Sequence, residues 1–119
     1  HQLFGFGPDT YGILTWDFRQ DALDRYGVFY ESAHNEYFQY LVTMGPLALV
    51  SYLAFLGGTC VQMCKKWKEC AWILAPVLAV LCYGAQAVVN INLPIATPIM
   101  WAMLAIGLAL TREKAEQAE

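Results

Sequence analysis

Ser32-Ala33-His34-Asn35-Glu36 is the group of residues best equipped for chemistry in this chain. An imidazole can take a proton from a hydroxyl near neutral pH, and the positive end of a helix macrodipole favours the neutral ring that does so. Ser32 is a suitable N-cap for a helix running from Ala33 onward. On that helix His34, Phe38, Leu41, Gly45, Ala48 and Tyr52 fall within about 40° of one another. Gly45 and Ala48 would leave a groove below the histidine for a neighbouring helix or a lipid chain. Pro46 would kink the helix, because it lacks the N–H that bonds the Val42 carbonyl. An interfacial histidine that only hydrogen-bonds lipid or water fits the same spacing.

Arg19 and Arg25 are the only Lys or Arg side chains in residues 1–39, and a guanidinium fork suits a pyrophosphate. Residues 17–30 read as a short surface helix on which Asp21 and Arg25, four apart, form an intrahelical pair. Arg19 has no acid at that spacing, which ranks it ahead of Arg25 as a ligand for an anion. Gly5-Phe6-Gly7-Pro8-Asp9 reads as a turn, with Asp9 or Thr10 able to cap a short helix after it. A G-x-G could also expose backbone N–H groups to a phosphate. Eleven of the seventeen aromatic residues lie in the first forty, among them Tyr11, Phe18, Tyr26, Phe29 and Tyr30. Such rings suit a membrane interface, and they also stack on the C–H faces of sugars.

The elements that must position these residues follow from composition. The chain has 119 residues, 58% hydrophobic and 14% charged, with mean hydropathy +0.39. A soluble domain is roughly 45–50% apolar and 25% charged. Seven Lys and Arg against ten Asp and Glu leave no basic stripe, which excludes nucleic acid as a partner. Residues 40–64, 71–89 and 93–110 contain no Asp, Glu, Lys, Arg or His. Each is about long enough to cross ~30 Å of hydrocarbon, so the expected fold is an all-α membrane protein with three transmembrane helices. Lys65, Lys66 and Lys68 put the first connector in the cytoplasm. Residues 1–39 then form an extracytoplasmic loop with short helices, 90–92 an outer turn, and 111–119, with Arg112 and Lys114, a cytoplasmic tail.

Cys60, Cys64 and Cys70 fall near the cytoplasmic end and Cys82 within the membrane, so no disulfide framework is implied. Without a CxxC knuckle or a nearby His, free thiols packed in a helix bundle fit better than a metal site, and no cofactor is implied. The chain opens at His1 with no initiator Met, basic n-region or apolar h-region. Upstream transmembrane helices of the same protein are therefore expected to deliver the loop across the membrane.

His34-Asn35, nine residues, then Gly45, at the head of a membrane helix after a large outer loop, resembles the H-[NSQ]-x9-G-x-x-[GTY] signature of the O-antigen ligase family. GFGPDTYG resembles the G-x-G turn upstream of that signature, and Ala48 stands where the family has Gly, Thr or Tyr. The resemblance covers roughly residues 4–110, and members are polytopic proteins of which this would be the C-terminal part. It implies a glycosyltransferase on the outer face of the bacterial cytoplasmic membrane. The donor would be a polyprenyl-pyrophosphate-linked glycan, and the acceptor a glycan or a lipid-linked saccharide. His34 would be the catalytic residue. Asn35 and Gly45 would lie at the substrate with Arg19 or Arg25 on the pyrophosphate.

Two other classes fit the composition. In a transporter fragment, Gln86 and Asn90, four apart, would line a polar pathway. In a structural membrane subunit, the Ala71, Ala75 and Ala79 stripe would pack helices.

Overall fold

The computed structural model describes residues 3–28, 32–91 and 93–116, with side chains as far as Arg112. Phe29, Tyr30, Asn92 and the Lys114 side chain therefore lie outside the described residues. Among those described there is no strand. The elements are α1 (Tyr11–Leu14), α2 (Trp16–Tyr26), α3 (Glu36–Thr43), α4 (Gly45–Lys65), a 3-10 turn at Ala71–Ile73, α5 (Leu74–Gln86) and α6 (Ala96–Glu116). They fall into two compact units, His1–Ser51 with Ala87–Ile91, and Tyr52–Gln86 with Asn92–Glu119.

In the first unit the helix expected from Ala33 begins later and breaks earlier. Asn35, not Ser32, is the N-cap of α3, and its Oδ1 accepts the Phe38 N–H at 2.9 Å. The Glu36 N–H, another donor without an intrahelical partner, goes to the Ala87 carbonyl at 2.9 Å. His34 precedes the cap and has φ +47, so it is not in the helix's first turn. At the other end Pro46 does more than kink the chain. Gly45 turns with φ +86 and α4 starts there, with Pro46 in its first turn, where a missing N–H costs nothing. The Val42 carbonyl, which Pro46 cannot serve, accepts from Phe6 N–H at 3.0 Å, and Thr43 O accepts from Gly7 N–H at 2.8 Å. The single face from His34 to Tyr52 consequently does not form.

The G-x-G turn is thus the cap on the end of α3. Gly5 also has positive φ, at +68, and a side chain on Gly45 would collide with the Leu3 carbonyl and the Gly5 backbone. Two glycines forty residues apart in sequence are bare because their backbones touch. Thr10 occupies the N-cap position of α1, but its hydroxyl donates back to the Gly7 carbonyl at 2.6 Å. The helix expected over 17–30 is α2, ended by left-handed Gly27 at φ +65.

In the second unit Met63 and Ile73 are fully buried with Val77, and Cys60, Cys70 and Leu110 pack around them. Cys64 and Cys82 face outward, and all four cysteines are free thiols. Pro76, in the first turn of α5, explains why the 3-10 turn precedes the helix proper. Gly107 on α6 admits the Met63 sulfur and leaves the Pro76 ring 3.1 Å from where a Cβ would stand. Tyr83 and Thr97 hydroxyls share a hydrogen bond of 2.8 Å between α5 and α6.

Among the described residues one helix, α4, is long and apolar enough to cross a membrane, and 17% of its most apolar stretch is buried. The apolar parts of the other two expected spans are shorter, Ala71–Gln86 and Ala96–Arg112. The chain leaves helix after Gln86, where the Ala87 carbonyl turns to Glu36 and Asn90 Oδ1 accepts its neighbour's N–H at 2.8 Å. Gln86 and Asn90 therefore share no helix face. In the alanine stripe, Ala71 and Ala75 are exposed and Ala79 is half-buried.

Candidate functional site

Thr15, at the N-cap of α2, and Arg19, Ala22 and Tyr26 within it recur at helical spacing and share one face. That face, with Phe18, walls a cavity of about 430 Å³ in the first unit, closed on its other sides by Tyr11 and by Ser32, Ala33 and His34. The segment carrying the histidine is tied down by the Ala33 N–H, which donates to Gln39 Oε1 at 3.3 Å. Phe18 and Tyr26 are exposed, so the cavity is open to ligand.

His34 is exposed, at the head of α3. Its positive φ is uncommon outside glycine, although histidine adopts it more readily than most residues. Such strain is often held at functional sites, and here the fixed cap at Asn35 and the Ala33 tether maintain it.

The two arginines are in different situations. Arg25 Nε donates to Asp21 Oδ1 at 2.7 Å, with the side chains 67% and 58% exposed, and Arg25 does not line the cavity. Arg19 lines the cavity beside His34, is half-buried, and has its Nε shut off from solvent. One terminal nitrogen of its guanidinium lies where a side chain on Gly12 would stand.

Asn35 and Gly45 do not line this cavity. The Asn35 side-chain oxygen Oδ1 caps α3, and the close approach that Gly45 permits is made by the Leu3–Gly5 backbone, not by a lipid or another helix. No family model, curated protein or solved structure matches the chain. The G-x-G turn and the glycine that ends the HN-x9-G spacing meet through the backbones of Gly5 and Gly45.

Sequence reasoning passed over Gly12 and the face of α2. The signal for the face was available in the spacing of Thr15, Arg19, Ala22 and Tyr26. Glu36, in the group the sequence singles out, is 3% exposed. Burial, and secondly the Glu36 charge, hold the Tyr37 hydroxyl above its ordinary pKa.

An aromatic cavity holding an imidazole and a guanidinium can grip a sugar by ring stacking, accept a proton from a hydroxyl, and offset negative charge on a departing group.

Proposed function

We propose that this chain is part of an O-antigen ligase-like glycosyltransferase of the bacterial cytoplasmic membrane, acting on the extracytoplasmic face in cell-surface polysaccharide synthesis. The observation that carries the reading is that His34 and Arg19 line one aromatic cavity. In the proposed step an acceptor hydroxyl gives its proton to the His34 imidazole, and its oxygen bonds the anomeric carbon of the donor glycan. The bond from that carbon to the pyrophosphate oxygen breaks, and polyprenyl pyrophosphate leaves with the electron pair. Arg19 offsets the charge that grows on the leaving group.

Under the same proposal the chain crosses the membrane three times, with residues 1–39 and 90–92 outside and 65–70 and 111–119 inside. Leu47, Val50, Leu53, Phe55 and Val61 on α4 are exposed, as are Leu78 and Leu81 on α5 and Ile99 and Ile106 on α6. Apolar faces of that extent suit lipid or the upstream helices of a larger bundle better than water. Ala71–Gln86 covers about 24 Å as helix, a mismatch that local thinning of the bilayer accommodates. The experiment is glycan transfer by the purified full-length protein from a polyprenyl-pyrophosphate-linked oligosaccharide. Loss of transfer in Arg19→Ala but not Arg25→Ala supports the assignment, and equal activity in both removes Arg19 from it.

A further inference from the structure

We infer that Gly12 is a positioning residue, whose missing side chain is the space that holds the Arg19 guanidinium at the wall of the His34 cavity for a pyrophosphate ester. The inference rests on the proposed role of Arg19 and names what fixes that role in space. A Cβ built on Gly12 collides with a terminal guanidinium nitrogen of Arg19, and the Arg19 carbon between the nitrogens lies 3.5 Å from it. Its nearest atoms are thus all guanidinium atoms, the mobile end of a long side chain. Gly12 has no positive φ, so its backbone accepts alanine without strain.

The physics separates the two effects of Gly12→Ala. In helix α1 alanine restricts the unfolded chain more than glycine does, which holds or raises stability. The same methyl group drives the guanidinium to another rotamer and removes the pre-set fork that a pyrophosphate would meet. A glycine needed only for the fold would lose stability and binding together. Tyr11 and Thr15, on either side of Gly12 in the sequence, line the cavity themselves.

The test is binding of farnesyl pyrophosphate, with farnesol as the uncharged control, to the full-length protein in lipid nanodiscs, alongside its Tm. Arg19→Ala and Gly12→Ala are each expected to raise the farnesyl pyrophosphate Kd by roughly tenfold or more, as for a lost hydrogen bond to a charged group. Farnesol binding and Tm should hold in Gly12→Ala, with Tm unchanged or higher. The double variant should bind no more weakly than Arg19→Ala alone, because the glycine acts through the arginine. If Arg19→Ala binds as the parent does, the proposed role of Arg19 falls and the inference with it. If Arg19→Ala weakens binding while Gly12→Ala does not, the positioning role alone is overturned. A lower Tm in Gly12→Ala, or a further loss on the Arg19→Ala background, also overturns it by showing that Gly12 acts on the fold.

Discussion

Arg19 and Arg25 lie six residues apart on one helix, yet their surroundings differ. The exposed pair of Arg25 with Asp21 is worth only about 0.3–0.5 kcal/mol, so Arg25→Ala should leave both stability and transfer almost unchanged. Arg19→Lys should already raise the donor KM, since a point charge replaces a fork, and Arg19→Ala should raise it further. Steady-state kinetics against donor concentration checks both, and equal KM values for the two alanine variants would contradict the distinction. Spacing alone ranked these arginines, because an acid four residues away is visible in a sequence; the cavity that Arg19 shares with His34 was not, because it forms where the chain folds back after α2. Tyr37 offers a second residue-level test. Burial, then the Glu36 charge, raise its pKa above 10.0. Above that ordinary value an unfolded chain loses this proton first, so the contribution to stability is full below it and falls as pH rises past it. Glu36→Gln removes the lesser cause, and NMR titration of ring-labelled Tyr37 should show its pKa shift part-way down.

The break between α3 and α4 carries the most information at the scale of elements. A proline after a glycine is legible as an interruption, but whether the chain kinks or turns depends on what takes the orphaned carbonyls. Here the distant Phe6 and Gly7 N–H groups take them, a tertiary fact that local propensity does not contain. The shift of the N-cap from Ser32 to Asn35 has a similar origin, since both are good caps and the Ala87 carbonyl favours a helix starting at Glu36. Gly45→Ala places a side chain at φ +86 against the Leu3 carbonyl. The left-handed backbone alone costs about 1–2 kcal/mol, and the collision adds to it. Gly57→Ala and Gly58→Ala in the same helix meet nothing within 4 Å and should hold or gain stability. Thermal unfolding in detergent compares the three, and a Gly45→Ala variant as stable as the other two would contradict the docking of the G-x-G turn on the break.

For the molecule as a whole, the all-helical class was legible from three uncharged apolar runs of 18 to 25 residues, too long for strands. Their ends were less so: α5 stops at Gln86 because Ala87 turns to serve Glu36, and α6 starts after Pro94 and runs on through Thr111 and Arg112, which favour helix as well as any tail. Charge asymmetry sets the proposed topology. In cells expressing single-cysteine variants free of native cysteines, an impermeant thiol reagent should reach position 21 and not position 66. Reaction at 66 alone would invert the molecule and put the His34 cavity on the wrong face for a lipid-linked glycan. The central claim is that His34 takes a proton during glycan transfer, and His34→Asn tests it most directly. Asparagine tolerates the positive φ of this position but cannot serve as the base, so fold and chemistry are separated. With the purified full-length protein and a polyprenyl-pyrophosphate-linked oligosaccharide, transfer should fall by roughly 10²–10⁴ at unchanged Tm and farnesyl pyrophosphate affinity; transfer within a few-fold of the parent would contradict the account.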